Sequence, residues 1–155
     1  MAFSWLASIK EISEIVASLG SLVTKNRAMK DLLIRELHIN IKAFETVQKS
    51  AVADYDKLLG LLQNSQILKA LESRFSFYTI KSEVIKEHHV FDDRNKRYIG
   101  KSCGWMFKNI DEKIEDLRNQ QKYHGSLNKI ADSNMALQFS NLFFKMKLLA
   151  DFIRS

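Results

Sequence analysis

"NMALQFSNLFFKMKLLADFI", residues 134–153, contains neither proline nor glycine and reads as one continuous helix. Met135, Phe139, Leu142, Met146, Leu149 and Ile153 recur at alternating intervals of four and three, which lays an apolar stripe down one helical face. Leu137, Phe143, Phe144 and Leu148 put further apolar side chains elsewhere on the same helix. A helix apolar on most sides is either central in a bundle or shared between chains. The stretch therefore predicts an all-α fold, with a final helix over residues 127–153 and a homo-oligomer formed through the surplus apolar surface near Phe143 and Phe144.

Outward from this helix the same period recurs. Gly125 and Ser126 form a turn signal, a glycine past one helix end followed by a capping hydroxyl. Before it, Phe107, Ile110, Ile114 and Leu117 define a helix over 102–123, with Glu112, Lys113, Glu115 and Asp116 facing outward. In the first half, Trp5, Ile9, Ile12, Val16, Leu19 and Val23 define a helix from Phe3 to Val23, with Ser4 placed to cap it. Residues 27–63 carry Ile34, Leu37, Ile41 and Phe44, then Ala51, Tyr55, Leu58 and Leu62. Gln48 falls in that seam, so the segment reads as one long helix or two shorter ones. Asn40 and His38 lie beside the stripe, where a polar side chain fixes register or bonds a neighbouring backbone. "NSQILKALES" supplies a short capped helix over 65–73.

The middle of the chain is less regular. "RFSFYTI", residues 74–80, alternates like a short strand, but a lone strand is unstable, so an irregular link is expected. A short helix over 82–90 and a charged turn at "DDRNKR" follow. The sum is a single domain over residues 1–155. It is an up-and-down bundle of four to five helices with an irregular basic segment between its halves.

Composition agrees. The 155 residues are 46% hydrophobic and include no proline and five glycines, which suits long helices and excludes a disordered chain. Cys103 is the only cysteine, which rules out an intrachain disulfide or a multi-cysteine metal site and suits a reducing compartment. Charges interrupt the N-terminal apolar stretch, and no run is long enough to span a membrane. A cytoplasmic location is expected.

Lysine and arginine number 24 against 18 acids, a net charge of +6 that serves solubility or an anionic partner. Arg94, Lys96, Arg97, Lys101 and Lys108 fall in one stretch without an acid, interleaved with Tyr98, Trp105 and Phe107. Cations neutralise phosphates and aromatic rings stack on bases, so Arg94, Lys96, Arg97, Tyr98, Lys101 and Lys108 form the candidate anion or nucleic-acid site.

Other motifs carry less. Gly100, Lys101 and Ser102 end like a Walker A loop, but position 95 is Asn95, not the glycine such a loop needs. His88, His89, Asp92 and Asp93 cluster without the spacing of a metal site, and neither a metal nor a cofactor is expected. Cys103 is a candidate reactive thiol only at a helix N-terminus beside Lys101.

"RNQQKYHGS", residues 118–126, holds Arg118, Asn119 and His124. This spacing resembles the motif of the HEPN ribonucleases: an arginine, a polar residue, and a histidine four to six positions on. The resemblance implies a small helical bundle cleaving RNA without metal at a site shared by two chains. Histidine would move protons there and arginine would stabilise the phosphorane. Within one helix the pair stands about 120° apart, and at the end of a helix, where positive charge is favourable, His124 has a structural role. The sequence thus favours a non-enzymatic, self-associating interaction module with a basic patch for an anionic or protein partner. A HEPN-like endoribonuclease using Arg118 and His124 is the alternative. The third reading is a peripheral membrane effector using its N-terminal amphipathic helix, tipped by Phe3 and Trp5.

Overall fold

The computed structural model describes residues 9–22, 28–50 and 52–155. Among these, six α-helices form: α1 (Ile9–Leu22), α2 (Met29–Gln48), α3 (Tyr55–Leu61), α4 (Ser65–Glu72), α5 (Cys103–His124) and α6 (Asp132–Arg154). The fold is an all-α helical bundle. Its four long helices are α1, α2, α5 and α6, and no strand forms among the described residues. The expectations for Phe3, Ser4, Trp5, Val23 and Ala51 lie outside the described residues.

α6 is the central helix, in contact with α1, α2 and α5. Met135, Phe139, Leu142, Phe143, Met146, Leu149 and Phe152 are all fully buried. Phe143 packs its ring 5.2 Å from Phe44 of α2, and Tyr55 stacks on Phe139 at 5.5 Å. Of the further apolar residues on this helix, Phe143 and Leu148 are buried within the chain and Phe144 is half-buried beneath Arg94, whereas Leu137 stays 61% exposed. Ile12, Ile15 and Leu19 of α1 are likewise buried.

The segment read as one long helix or two contains two, α2 and α3, among the described residues. α2 ends at Gln48, and Asp54 starts α3 by accepting a hydrogen bond from the Lys57 amide at 3.0 Å. Asn40 bonds a neighbouring backbone as expected, donating to the Gln63 carbonyl and accepting from the Gln63 amide, both at 2.7 Å. Glu36, also on α2, accepts the amides of Gln66 and Ile67 at 2.9 Å each, and so caps α4 from a separate helix.

Two boundaries differ from the sequence expectation. The helix expected over 82–90 is only a 3-10 turn at Glu87–His89. Its first half is held extended, because the Ile85 amide bonds Lys101 and the Ile85 carbonyl accepts from Gly100. The final helix starts at Asp132, after a separate turn at Leu127–Lys129. Asp56 holds that turn by accepting from the Leu127 amide at 2.8 Å and from the Ser126 hydroxyl. The 74–80 segment is irregular as expected, with one 3-10 turn at Phe77–Thr79.

Candidate functional site

The six residues of the expected basic site divide into two groups. Arg94 is committed to the protein. Its guanidinium lies 4.1 Å from the Phe144 ring centre, and it donates to Asp92 at 2.9 Å and to the Ser140 hydroxyl. Lys96 pairs with Asp93 at 3.0 Å. Tyr98 is only 5% exposed, so its ring serves packing and has no face to offer a base. Burial holds its hydroxyl above the usual range.

The second group gathers around Trp105, the indole just inside α5. Lys101 lies 4.8 Å over that indole, and the Tyr98 ring is 5.8 Å from it. Arg97 lies over Tyr98 at 5.1 Å. Lys108, one turn along α5 from Trp105, is exposed and has only a 4.0 Å pair with Glu112. Trp105 itself is 36% exposed. Ser102 sets this geometry by capping α5: its hydroxyl accepts from the Trp105 amide at 3.1 Å. The Gly100–Lys101–Ser102 run is thus a turn into a capped helix.

Trp105 also lines a groove of about 550 Å³ between residues 71–81 and the start of α5. Phe77 packs 5.6 Å from Phe107 at its base, and Phe75 meets Phe77 edge-on at 5.3 Å. Gly104 permits this closure, since a Cβ there would stand 3.1 Å from Phe77. Arg74, Tyr78 and Lys108 also line the groove, and among the described residues no acid does. Tyr78 is 65% exposed. Arg74 has a left-handed backbone, φ 56°, just past the end of α4, a position that favours glycine. It has no ion pair among the described residues. Sequence reasoning missed Arg74 and Tyr78. The aromatic alternation of "RFSFYTI" was the available signal, but it showed only a period, not the surface it meets.

The remaining motifs have structural partners. Cys103 opens α5, but it is 1% exposed and burial pushes its thiol up to about 12, the opposite of an activated cysteine. His89 is buried and its Nδ1 accepts from the Lys86 amide at 2.9 Å, while Asp92 accepts from the Arg94 amide. Among the described residues no three His, Cys, Asp or Glu side chains converge on a metal position. No helix among the described residues is long and apolar enough to cross a membrane.

In "RNQQKYHGS", Arg118 donates to Asn64 at 2.7 Å, to Glu115 at 2.6 Å and to the Leu62 carbonyl at 3.4 Å. Gln121 donates to Asp56 at 2.9 Å. His124 is exposed in the last turn of α5, and Gly125 ends that helix with φ 79°. Arg118 faces the α3–α4 link, and its polar contacts are with that link and with Glu115 on its own helix. No protein-family model, no curated protein and no solved structure matches this chain.

Proposed function

We propose that this protein is a non-enzymatic binding module for single-stranded nucleic acid, with Trp105 at the centre of its contact surface. The observation that carries this is the setting of Trp105: a partly exposed indole with Lys101 over it, Lys108 one helical turn on, and an acid-free groove beside it. Cations fix the phosphate backbone and exposed rings stack on bases of any sequence. The functional surface is Lys101, Trp105 and Lys108, with Arg97 at its edge. Arg94 and Lys96, paired with their own acids, contribute field rather than direct contact. The contact surface lies on one chain, so this reading does not depend on self-association.

Arg118 and His124 have structural roles in this reading, supported by the Arg118 contacts to Asn64 and Leu62. The test is fluorescence anisotropy of a labelled single-stranded oligonucleotide at low salt. The expected result is saturable binding that weakens on Lys101→Ala and on Lys108→Ala, with the oligonucleotide recovered intact in EDTA. No binding at low salt, or cleavage, overturns it.

A further inference from the structure

We infer that the groove between residues 71–81 and the start of α5 is a base socket, taking one unstacked nucleobase of a single strand against Tyr78 and Trp105 while Arg74 and Lys108 hold its flanking phosphates. The inference rests on the nucleic-acid reading above and adds the place where a base is held.

Three observations converge on it. The first is size: about 550 Å³ lies within the roughly 300–1,000 Å³ typical of small-ligand sites. The second is the distribution of aromatic surface. Phe77 is spent on packing against Phe107, whereas Tyr78 and Trp105 keep exposed ring surface at the mouth. A base offers a flat apolar face with polar edges, which matches a groove lined by Phe75 and Phe77 together with these two rings. The third is charge. Arg74, Lys81 and Lys108 line the groove and, among the described residues, no carboxylate does. Lys81 is largely buried and engaged by Glu83 at 3.5 Å, whereas Arg74 and the exposed Lys108, whose contact with Glu112 is 4.0 Å, are placed for phosphate.

Arg74 supports the assignment separately. Its left-handed backbone turns the chain from α4 into the groove wall, where glycine would be the less strained choice. The turn brings to the groove lining a guanidinium, suited to bidentate contact with phosphate.

The experiment uses the full chain carrying Trp5→Phe, which leaves Trp105 as the sole tryptophan. Two fluorescein-labelled strands of equal length are compared by anisotropy, an oligodeoxyadenylate and an abasic oligodeoxynucleotide. Trp105 emission is followed with the unlabelled strands and with adenosine monophosphate. The oligodeoxyadenylate should quench Trp105 and bind about tenfold more tightly than the abasic strand. Tyr78→Ala should remove most of that difference and leave abasic binding unchanged. Both positions tolerate change: Tyr78 is exposed, and Arg74→Gly relieves a left-handed residue while removing the cation. Arg74→Gly should weaken both strands. Equal affinity for the two strands, indifferent to Tyr78→Ala, overturns the base socket and leaves the electrostatic reading standing. Failure of either strand to bind overturns both. Quenching by the mononucleotide at the same concentration as the strand overturns the assignment to a strand and points to a free nucleotide.

Discussion

Arg118 donates a 2.7 Å hydrogen bond to the side-chain oxygen of Asn64, and the Asn64 amide donates onward to Asp111 and Glu115, each at 2.8 Å. The chain of bonds ties α5 to the link between α3 and α4. Asn64 is buried, so losing its partner leaves a polar atom unsatisfied. The more exposed Glu115 contact adds little. Arg118→Ala should therefore cost roughly 1–2 kcal/mol of stability, read by urea denaturation. RNA incubated with the wild type in EDTA should remain intact. Metal-free cleavage that disappears in both Arg118→Ala and His124→Ala would instead establish a nuclease.

Glu36 should be a larger structural determinant than its place in the sequence suggests. Its two carboxylate oxygens accept the first-turn amides of α4. Glu36→Gln keeps the shape, replaces one acceptor by a donor and removes the charge favoured at a helix N-terminus. A loss of about 1–3 kcal/mol is expected from thermal or urea unfolding. An unchanged midpoint would show that the cap adds nothing to stability.

Lys145 imposes a pH-dependent penalty. It is 7% exposed, and burial, together with Arg97 and Lys113, pushes its ammonium down to about 8 from 10.5, with Glu112 opposing. Its ammonium lies 5.8 Å from the Tyr98 ring centre. The unfolded chain then binds the proton more tightly than the folded one. The penalty is full below the folded value and disappears as pH rises through 8 towards 10.5. Lys145→Met keeps the packed stem without the charge and should stabilise the protein by about 1–3 kcal/mol at neutral pH. The gain should vanish near the upper end of that window. A gain independent of pH would assign it to packing.

Cys103 should resist thiol reagents in the folded protein. It is almost fully buried and its thiol is raised to about 12, so little thiolate forms at neutral pH. Labelling with a disulfide reagent should become fast only as denaturant unfolds the chain. Rapid labelling without denaturant would show that the groove wall opens.

What the sequence revealed follows the range of the interactions concerned. The α6 stripe and the Gly125–Ser126 turn were legible because helical period and helix capping are local. Residues 82–90 were misread because their conformation is set by Gly100 and Lys101, which pair with Ile85 across a loop. Asn40 was recognised as a polar residue with a structural partner, but the pattern could not say that the partner is Gln63. The basic stretch was visible as composition. Its division was not, since it depends on Arg94 meeting Phe144 and Ser140 of α6, and on Tyr98 turning into the core. The groove needed residues 71–81 to meet the start of α5, a juxtaposition that no local pattern encodes.

The central claim, electrostatic binding of single-stranded nucleic acid around Trp105, is tested most directly by the salt dependence of affinity. Dissociation constants for one labelled oligonucleotide would be measured across a salt series for the wild type, Lys101→Ala and Lys108→Ala. Affinity should fall linearly with salt on logarithmic axes, and each substitution should flatten the slope by about 0.7, the contribution of one phosphate contact on a single strand. Affinity indifferent to salt, or slopes unchanged by either substitution, would contradict the account.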